Sequence, residues 1–350
     1  MGRTVLVTGA ARQLAGRFVR RLLREQDDRE ELRVVGVDAV PPDRLPEDAE
    51  SFRFVRADIR QPSVVTVLAQ HAVDTVVHLD VHASSGPHGG GRATAKEINV
   101  LGTLQLLGAC QKIPTLRRVV VASSTQVYGS TPRDPAVADE ASRLAAPAGG
   151  GFAQDVVEIE GYVRGFTRRC PDVAVTVLRF AHVLGPGAET PLAAYFRLPV
   201  LPTVLGYDPR LQFVHEQDAV DVLCRAVRGE GPGAVGPGAY NVAGEGVLLL
   251  SQAARRLGRP VVPVLRSLTP WLGPGARALG VHGVSGELFR TLTYGRVVRT
   301  DALLAATGGP LEYSTAGAFA DFASVHGPGL LPPALLGRAV DRIEGALRHG

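Results

Sequence analysis

Short apolar runs alternate with amphipathic stretches along the first half of the chain. Thr4–Thr8 (TVLVT) is apolar and rich in β-branched residues, the composition of a strand buried on both faces. Gly9-Ala10-Ala11 follows, small and turn-compatible, and then Leu14, Phe18, Leu22 and Leu23 recur at helical spacing with arginines between them. Val34–Val37 (VVGV) reads as a second buried strand ending at Asp38, Thr75–Leu79 (TVVHL) as another, and Val119–Ala122 as another still. Strand and helix in alternation predict a parallel sheet flanked by helices.

The first strand, turn and helix have a chemical consequence. Tiny residues let the backbone approach a pyrophosphate, and the free N–H groups at a helix N-terminus face it with partial positive charge. An acidic residue at the end of the second strand, Asp38, accepts from adenosine ribose hydroxyls and repels a 2′-phosphate. The predicted fold class is therefore α/β: a Rossmann-type doubly wound parallel sheet over residues 1–180, to which some later segments return. A smaller substrate-binding lobe is expected over 181–325 and a helical tail over 326–350, where Ala334–Leu347 reads as a short amphipathic helix. Pro41–Glu50, Ser84–Gly91, Thr131–Gly151 and Gly229–Gly238 read as loops, and Leu265–Gly286 as an irregular stretch anchored by Trp271. No internal repeat stands out.

Composition narrows the picture further. The 350 residues are 45% hydrophobic and 21% charged, as in an ordinary globular protein, with a formal net charge of +4 and no long basic run that points to nucleic acid. No apolar run reaches the roughly 20 residues that span a bilayer, and no signal peptide precedes the first strand. The three cysteines, Cys110, Cys170 and Cys224, are far apart and lack metal-ligand spacing, so no metal is expected and a reduced cytoplasm is the expected setting.

Several motifs now occur in a shared order. Thr8-Gly9-Ala10-Ala11-Arg12-Gln13-Leu14-Ala15 resembles the T-G-x-x-G-x-x-G fingerprint, with Arg12 at the middle glycine and Ala15 at the last. Arg56-Ala57-Asp58-Ile59-Arg60 resembles G-D-[IL]-x-D. His78-Leu79-Asp80 resembles H-L-A, Asn99-Val100-Leu101-Gly102-Thr103 matches N-V-x-G-T, and Ser123-Ser124-Thr125-Gln126-Val127-Tyr128-Gly129 matches S-S-x-x-V-Y-G. Leu178-Arg179-Phe180 through Pro186 is similar to L-R-[YF]-x-N-x-x-G-P with His182 at the asparagine, Gln212–Asp218 to D-F-V-H-V-D-D, and Tyr240-Asn241-Val242 to Y-N-[VI]. Over residues 3–320 the chain resembles the extended short-chain dehydrogenase/reductases of the NAD-dependent epimerase/dehydratase kind, UDP-sugar 4-epimerases among them.

The resemblance implies NAD as cofactor, held by Thr8, Gly9, Arg12, Gln13, Leu14, Asp38, Asp58, Ile59, Leu79, Asp80, Asn99, Ser123 and Phe180. Asp58 would accept from the adenine amino group and Ile59 would pack on the ring. Arg12 keeps NADP open, because it can pair with a 2′-phosphate or instead with Asp38; Asp80 can answer Arg12 or another arginine. The resemblance also implies a small-molecule substrate such as a UDP-sugar, a homodimer, and Arg179 and Arg210 as candidate diphosphate contacts, with a surface role the plainer reading for Arg210.

One part of the pattern is missing. The family's reaction uses a serine or threonine, a tyrosine, and a lysine four residues after it; the lysine lowers the tyrosine pKa, and the spacing puts both on one helix face. Ser124 holds the serine position as the candidate catalytic residue, but Phe152 stands at the tyrosine and Val156 at the lysine. None of the seven tyrosines has a lysine four residues later, and the only lysines are Lys96 and Lys112. Tyr128, Tyr162, Asp80 and His182 are candidates for a rebuilt relay, each with a packing or hydrogen-bonding role as its plainer reading. Three functions follow: an NAD-dependent nucleotide-sugar epimerase or oxidoreductase with an altered catalytic site, a non-catalytic NAD(P)-binding sensor or regulator, and a structural subunit without cofactor.

Overall fold

The computed structural model describes residues 2–25, 31–44, 50–83, 91–145, 151–268 and 286–326. Trp271, the 334–347 helix, nearly all of the Ser84–Gly91 loop, and parts of Pro41–Glu50 and Thr131–Gly151 lie outside these residues.

The buried apolar runs form the strands expected of them. β1 (Arg3–Thr8), β2 (Leu32–Asp38), β3 (Phe52–Arg56), β4 (Thr75–His78), β5 (Arg118–Ser124) and β6 (Ala174–Phe180) lie in one parallel sheet. The second lobe contributes the short strands β7 (His182–Leu184), β8 (Leu201–Val204), β9 (Arg210–Leu211) and β10 (Phe213–His215). The chain then returns to the sheet as β11 (Gly238–Val242), giving the order β11-β6-β5-β4-β1-β2-β3. β1 is hydrogen-bonded to both β2 and β4, so the strand order reverses there.

Helices cover both faces. α1 (Gln13–Arg24) buries Ala15, Phe18, Val19 and Leu22, and its basic last turn suits the negative end of the helix dipole. Burying Phe18 completely contributes roughly 1.5–3 kcal/mol. α2 (Val64–Gln70) packs on the other face. α3 (Arg92–Lys96), a π-helical turn Glu97–Gly102 and α4 (Thr103–Cys110) run on as one helix. A Cβ on Gly102 would lie 2.7 Å from Ile59 Cδ1, so a larger residue there forces Ile59 to shift. α5 (Phe152–Arg169) follows Gly151, whose φ of +105° excludes most side chains.

α6 (Pro191–Phe196) belongs to the second lobe, but α7 (Glu216–Arg228) packs against α1 beneath the sheet. Residues 216–228 and 238–242 therefore pack with the first lobe. The second lobe has its own core, in which Tyr195, Phe196, Phe213, Phe319 and Phe322 meet largely edge to face. No helix among the described residues is long and apolar enough to cross a membrane.

Candidate active site at the carboxyl ends of the strands

Ligands in open parallel sheets bind in the crevice outside the carboxyl ends of the strands, where the strand order reverses. Here that crevice lies between β1 and β4. Gly9 stands at its edge with φ +70°, and a Cβ on it would come within 3.1 Å of the Asp80 backbone. Thr8, fully buried, ties the two strands together: its Oγ1 accepts from the amides of Leu79 (3.2 Å) and Asp80 (3.3 Å) and meets His78 Nδ1 at 2.7 Å. His78 Nε2 in turn contacts Thr103 Oγ1 at 2.8 Å. Burial keeps this imidazole neutral, with its pKa down to about 4.

The remaining crevice residues are placed as follows. Asp38 accepts from Ala11 N–H at 3.0 Å through one oxygen and from Val40 N–H at 3.2 Å through the other. Arg12 does not pair with Asp38. Its extended backbone needs no glycine, and its side chain crosses to Asp80 (3.2 Å) and His82 (2.6 Å). The first amides of α1, at Gln13 and Leu14, have no intrahelical acceptor, and no side chain of Arg12 caps them. The Gln13 side-chain Nε2 donates to the carbonyl of Gly187.

Asp58 is engaged by Arg60, whose backbone N–H and guanidinium both donate to it; these bonds hold the carboxyl below its usual range despite partial burial. Ile59 is buried against Gly102. Ser123 Oγ donates to Glu160, and Phe180 is part of the core. Ser124 ends β5, half-buried, its Oγ accepting from Gln126 N–H.

At the far end of the crevice the positions of the family's tyrosine and lysine are filled by apolar side chains. Phe152 is 7% exposed and Val156 fully buried, both within the sheet–helix core. Two carboxylates share the inner side of the same helix. Asp155, fully buried, accepts from Asn99 Nδ2 (2.9 Å) and from Arg92 (2.5 Å). Glu160 is held by both forks of Arg179, at 2.9 and 2.7 Å.

That pairing corrects the expectation for Arg179: at 5% exposure it faces Glu160 and the Tyr128 hydroxyl, not a diphosphate. Tyr128, which donates to Asn241 Oδ1, is likewise a buried structural partner rather than a proton donor, and Tyr162 packs on the core. Arg210 is exposed, as its plainer reading has it.

The expected Asn99 and His182 stand beside residues that the sequence pattern did not single out, His82, Glu287 and Arg296. Asn99 clamps His82 by accepting from its N–H (3.0 Å) and donating to its C=O (2.9 Å). Glu287, from the helix Gly286–Tyr294, caps α5 by accepting from the amides of Phe152 (2.9 Å) and Ala153 (2.7 Å). Arg296 donates to Gly129 O (2.8 Å) and Ser130 Oγ, yet one guanidinium nitrogen is buried without a partner among the described residues. His182 Nε2 is orphaned in the same way, and burial together with the nearby Arg296 charge pushes its pKa down to about 3. Asp155 and Glu160 carried one legible signal, a charge on the apolar face of an amphipathic helix; Glu287 and Arg296 carried none.

The model of the NAD dependent epimerase/dehydratase family matches residues 5–243. The uncharacterized protein Rv0501 of Mycobacterium tuberculosis is 43% identical over 336 residues, covering 94% of this chain and 85% of that protein. The UDP-glucose 4-epimerase of Mycolicibacterium smegmatis is 29% identical over 236 residues, covering 63% of this chain and 72% of the enzyme. Among solved structures, UDP-glucose 4-epimerase of Thermotoga maritima with UDP-glucose superposes with a TM-score of 0.68 at 16% identity, covering 92% of this chain and 98% of that one. UDP-glucuronic acid 4-epimerase of Bacillus cereus with UDP-glucuronic acid and NAD gives 0.67 at 18%, with the same coverage. The sheet order, the motifs in sequence and the family match together show that this chain belongs to the NAD-dependent epimerase/dehydratase family.

Proposed function

We propose that the chain binds NAD along the β1–β4 crevice and a nucleotide-diphosphate sugar between its lobes, as an epimerase- or oxidoreductase-like protein whose proton relay is altered. The observation that carries this reading is the convergence of Gly9, the uncapped N-terminus of α1 and the Asp38 carboxylate at the switch point. Gly9 admits a diphosphate, the α1 amides stabilise it, and Asp38 receives ribose hydroxyls through the lone pairs its backbone partners leave. NAD is favoured over NADP, because Arg12 is turned towards Asp80 and His82 and the Asp38 carboxylate repels a 2′-phosphate.

His182 and Arg296 support the substrate half. Arg296 Nη1 and His182 Nε2 are buried without a partner among the described residues, and a diphosphate would supply the acceptor that Arg296 Nη1 lacks. The relatives named above that act on UDP-sugars motivate the choice of probe.

Bound NAD supplies a hydride acceptor. Ser124 remains to orient a substrate hydroxyl, but neither Phe152 nor Val156 moves a proton. Burial of both in the core favours a second reading, a protein that senses NAD without turning over substrate. Leu101 and Leu104, 49% and 41% exposed on the helix beside α5, favour self-association into a homodimer, which sedimentation of the purified chain would measure.

The deciding experiment identifies the dinucleotide released on denaturation by mass spectrometry, titrates the stripped protein with NAD and NADP, and assays UDP-sugars for turnover. NAD binding with slow turnover supports the first reading. NAD binding without turnover on any UDP-sugar supports the second, and no binding of either dinucleotide sinks both.

A further inference from the structure

The bridge across the crevice departs from the family pattern and has not been given a role. Arg12 stands at the N-cap of α1, on one bank. Its guanidinium donates to Asp80 Oδ1 at 3.2 Å and to His82 Nε2 at 2.6 Å, both on the segment that leaves β4 on the other bank. That segment is fixed: Gly9 packs against the Asp80 backbone, and Asn99 clamps both backbone polar groups of His82. Arg12 therefore spans the point at which a dinucleotide's diphosphate lies when it sits at a strand-order reversal.

The partners hold Arg12 on unequal terms. Asp80 is 13% exposed, and burial with the nearby Asp38 and Asp58 charges pushes its pKa up to about 6 even though Arg12 pulls it down. His82 is kept neutral by burial and by Arg12, its pKa near 3, and its Nδ1 lies 3.5 Å from Asp80 without forming a hydrogen bond. His78, below the same strand end, is neutral as well. Asp80 is thus a carboxylate whose charge is costly, facing an arginine that pairs better with two phosphate oxygens than with one carboxylate oxygen. An ionised Asp80 also repels an incoming diphosphate.

We propose that Arg12 is the diphosphate ligand of this crevice, and that Asp80 and His82 are internal partners which it exchanges for the cofactor's phosphates. The inference rests on the reading of the crevice as a dinucleotide site. It replaces the family's glycine, which only makes room for a diphosphate, with a side chain that binds one. It also makes cofactor affinity depend on pH. Above about 6, Asp80 is ionised and competes for Arg12; below it, Asp80 is protonated and releases the guanidinium, so affinity falls as pH rises through that value.

Calorimetric titration of the full chain with adenosine, ADP-ribose and NAD tests this in the wild type, Arg12→Ala and Asp80→Asn. We expect Arg12→Ala to weaken ADP-ribose and NAD about 10–100-fold, as for loss of charge-assisted hydrogen bonds, and to leave adenosine unchanged. Asp80→Asn should tighten both diphosphates several-fold and abolish the pH dependence of NAD binding around pH 6, where NAD's own diphosphate does not titrate. Tighter NAD binding by Arg12→Ala would show that Arg12 is a plug, and equal losses for adenosine and NAD would show that it only supports the fold; either overturns the proposal while the dinucleotide site stands. Absence of binding by every probe to all three proteins would overturn the dinucleotide reading along with it. Should Arg12→Ala fail to fold, the sign of the Asp80→Asn effect decides alone, since weaker or unchanged NAD binding there contradicts competition for Arg12.

Discussion

The two ends of the crevice differ in what they kept. At the β1–β4 end, Gly9, Asp38, Thr8 and Asn99 stand where the family pattern has them, and even Arg12 leaves the backbone path intact. At the α5 end, the helix and its four-residue spacing survive while Phe152 and Val156 sink into the core. The contrast has a physical cause. Cradling a diphosphate relies largely on backbone geometry and helix amides, which many side chains leave unchanged. Proton transfer relies on one hydroxyl and one ammonium, so two substitutions remove it with no change of fold.

Restoring the missing groups breaks the contrast most directly. Phe152→Tyr with Val156→Lys should raise turnover of a UDP-sugar by about 10²–10⁴, the usual contribution of acid–base catalysis, measured by steady-state assay on protein shown to bind NAD. A folded, NAD-bound double variant with no gain would mean that the missing tyrosine and lysine do not limit turnover.

The next effect concerns stability at that same end. Arg179→Met leaves Glu160 buried without its partner and should cost roughly 3–5 kcal/mol in urea unfolding, most of it recovered by adding Glu160→Gln. NAD affinity of the folded fraction should barely change if the two ends are as separate as their residues imply.

Acid tests the β1–β4 end and its surroundings. His78, His82 and His182 have pKa values depressed from 6.5 to about 4, 3 and 3 by burial. Because the unfolded chain takes up these protons first, the stability they confer is present above pH 6.5 and is lost as pH falls towards 3. Denaturation midpoints measured across that window should decline steadily, and a flat profile would mean that these rings are more hydrated than their burial indicates.

The smallest effect belongs to the contact between the lobes. Glu287→Ala removes the carboxylate that caps α5 and should cost about 0.5–2 kcal/mol, visible as faster exchange of the Phe152 and Ala153 amides. Unchanged exchange at these two positions would show that the second lobe does not steady this end of the crevice.

Much of this was legible along the chain. The β-branched runs, the small turn after Thr8 and the apolar spacing from Leu14 to Leu23 specify strand, turn and helix, because burial on both faces and on one stripe leaves distinct periodicities. Absence of the tyrosine–lysine pair was legible too, since Phe152 and Val156 stand at its two positions and none of the seven tyrosines has a lysine four residues later. What the linear pattern cannot encode is which distant charge answers which. Arg12 faced Asp38 and Asp80 as candidates, and the fold sets it against Asp80. Arg179 looked like a phosphate ligand until β6 and α5 set it against Glu160. Glu287 and Arg296 reach the crevice from more than 130 residues away in sequence, Glu287 to Phe152 N–H and Arg296 to Gly129 O. Periodicity is a local property written residue by residue, whereas the pairing of buried charges exists only once the chain has closed around them.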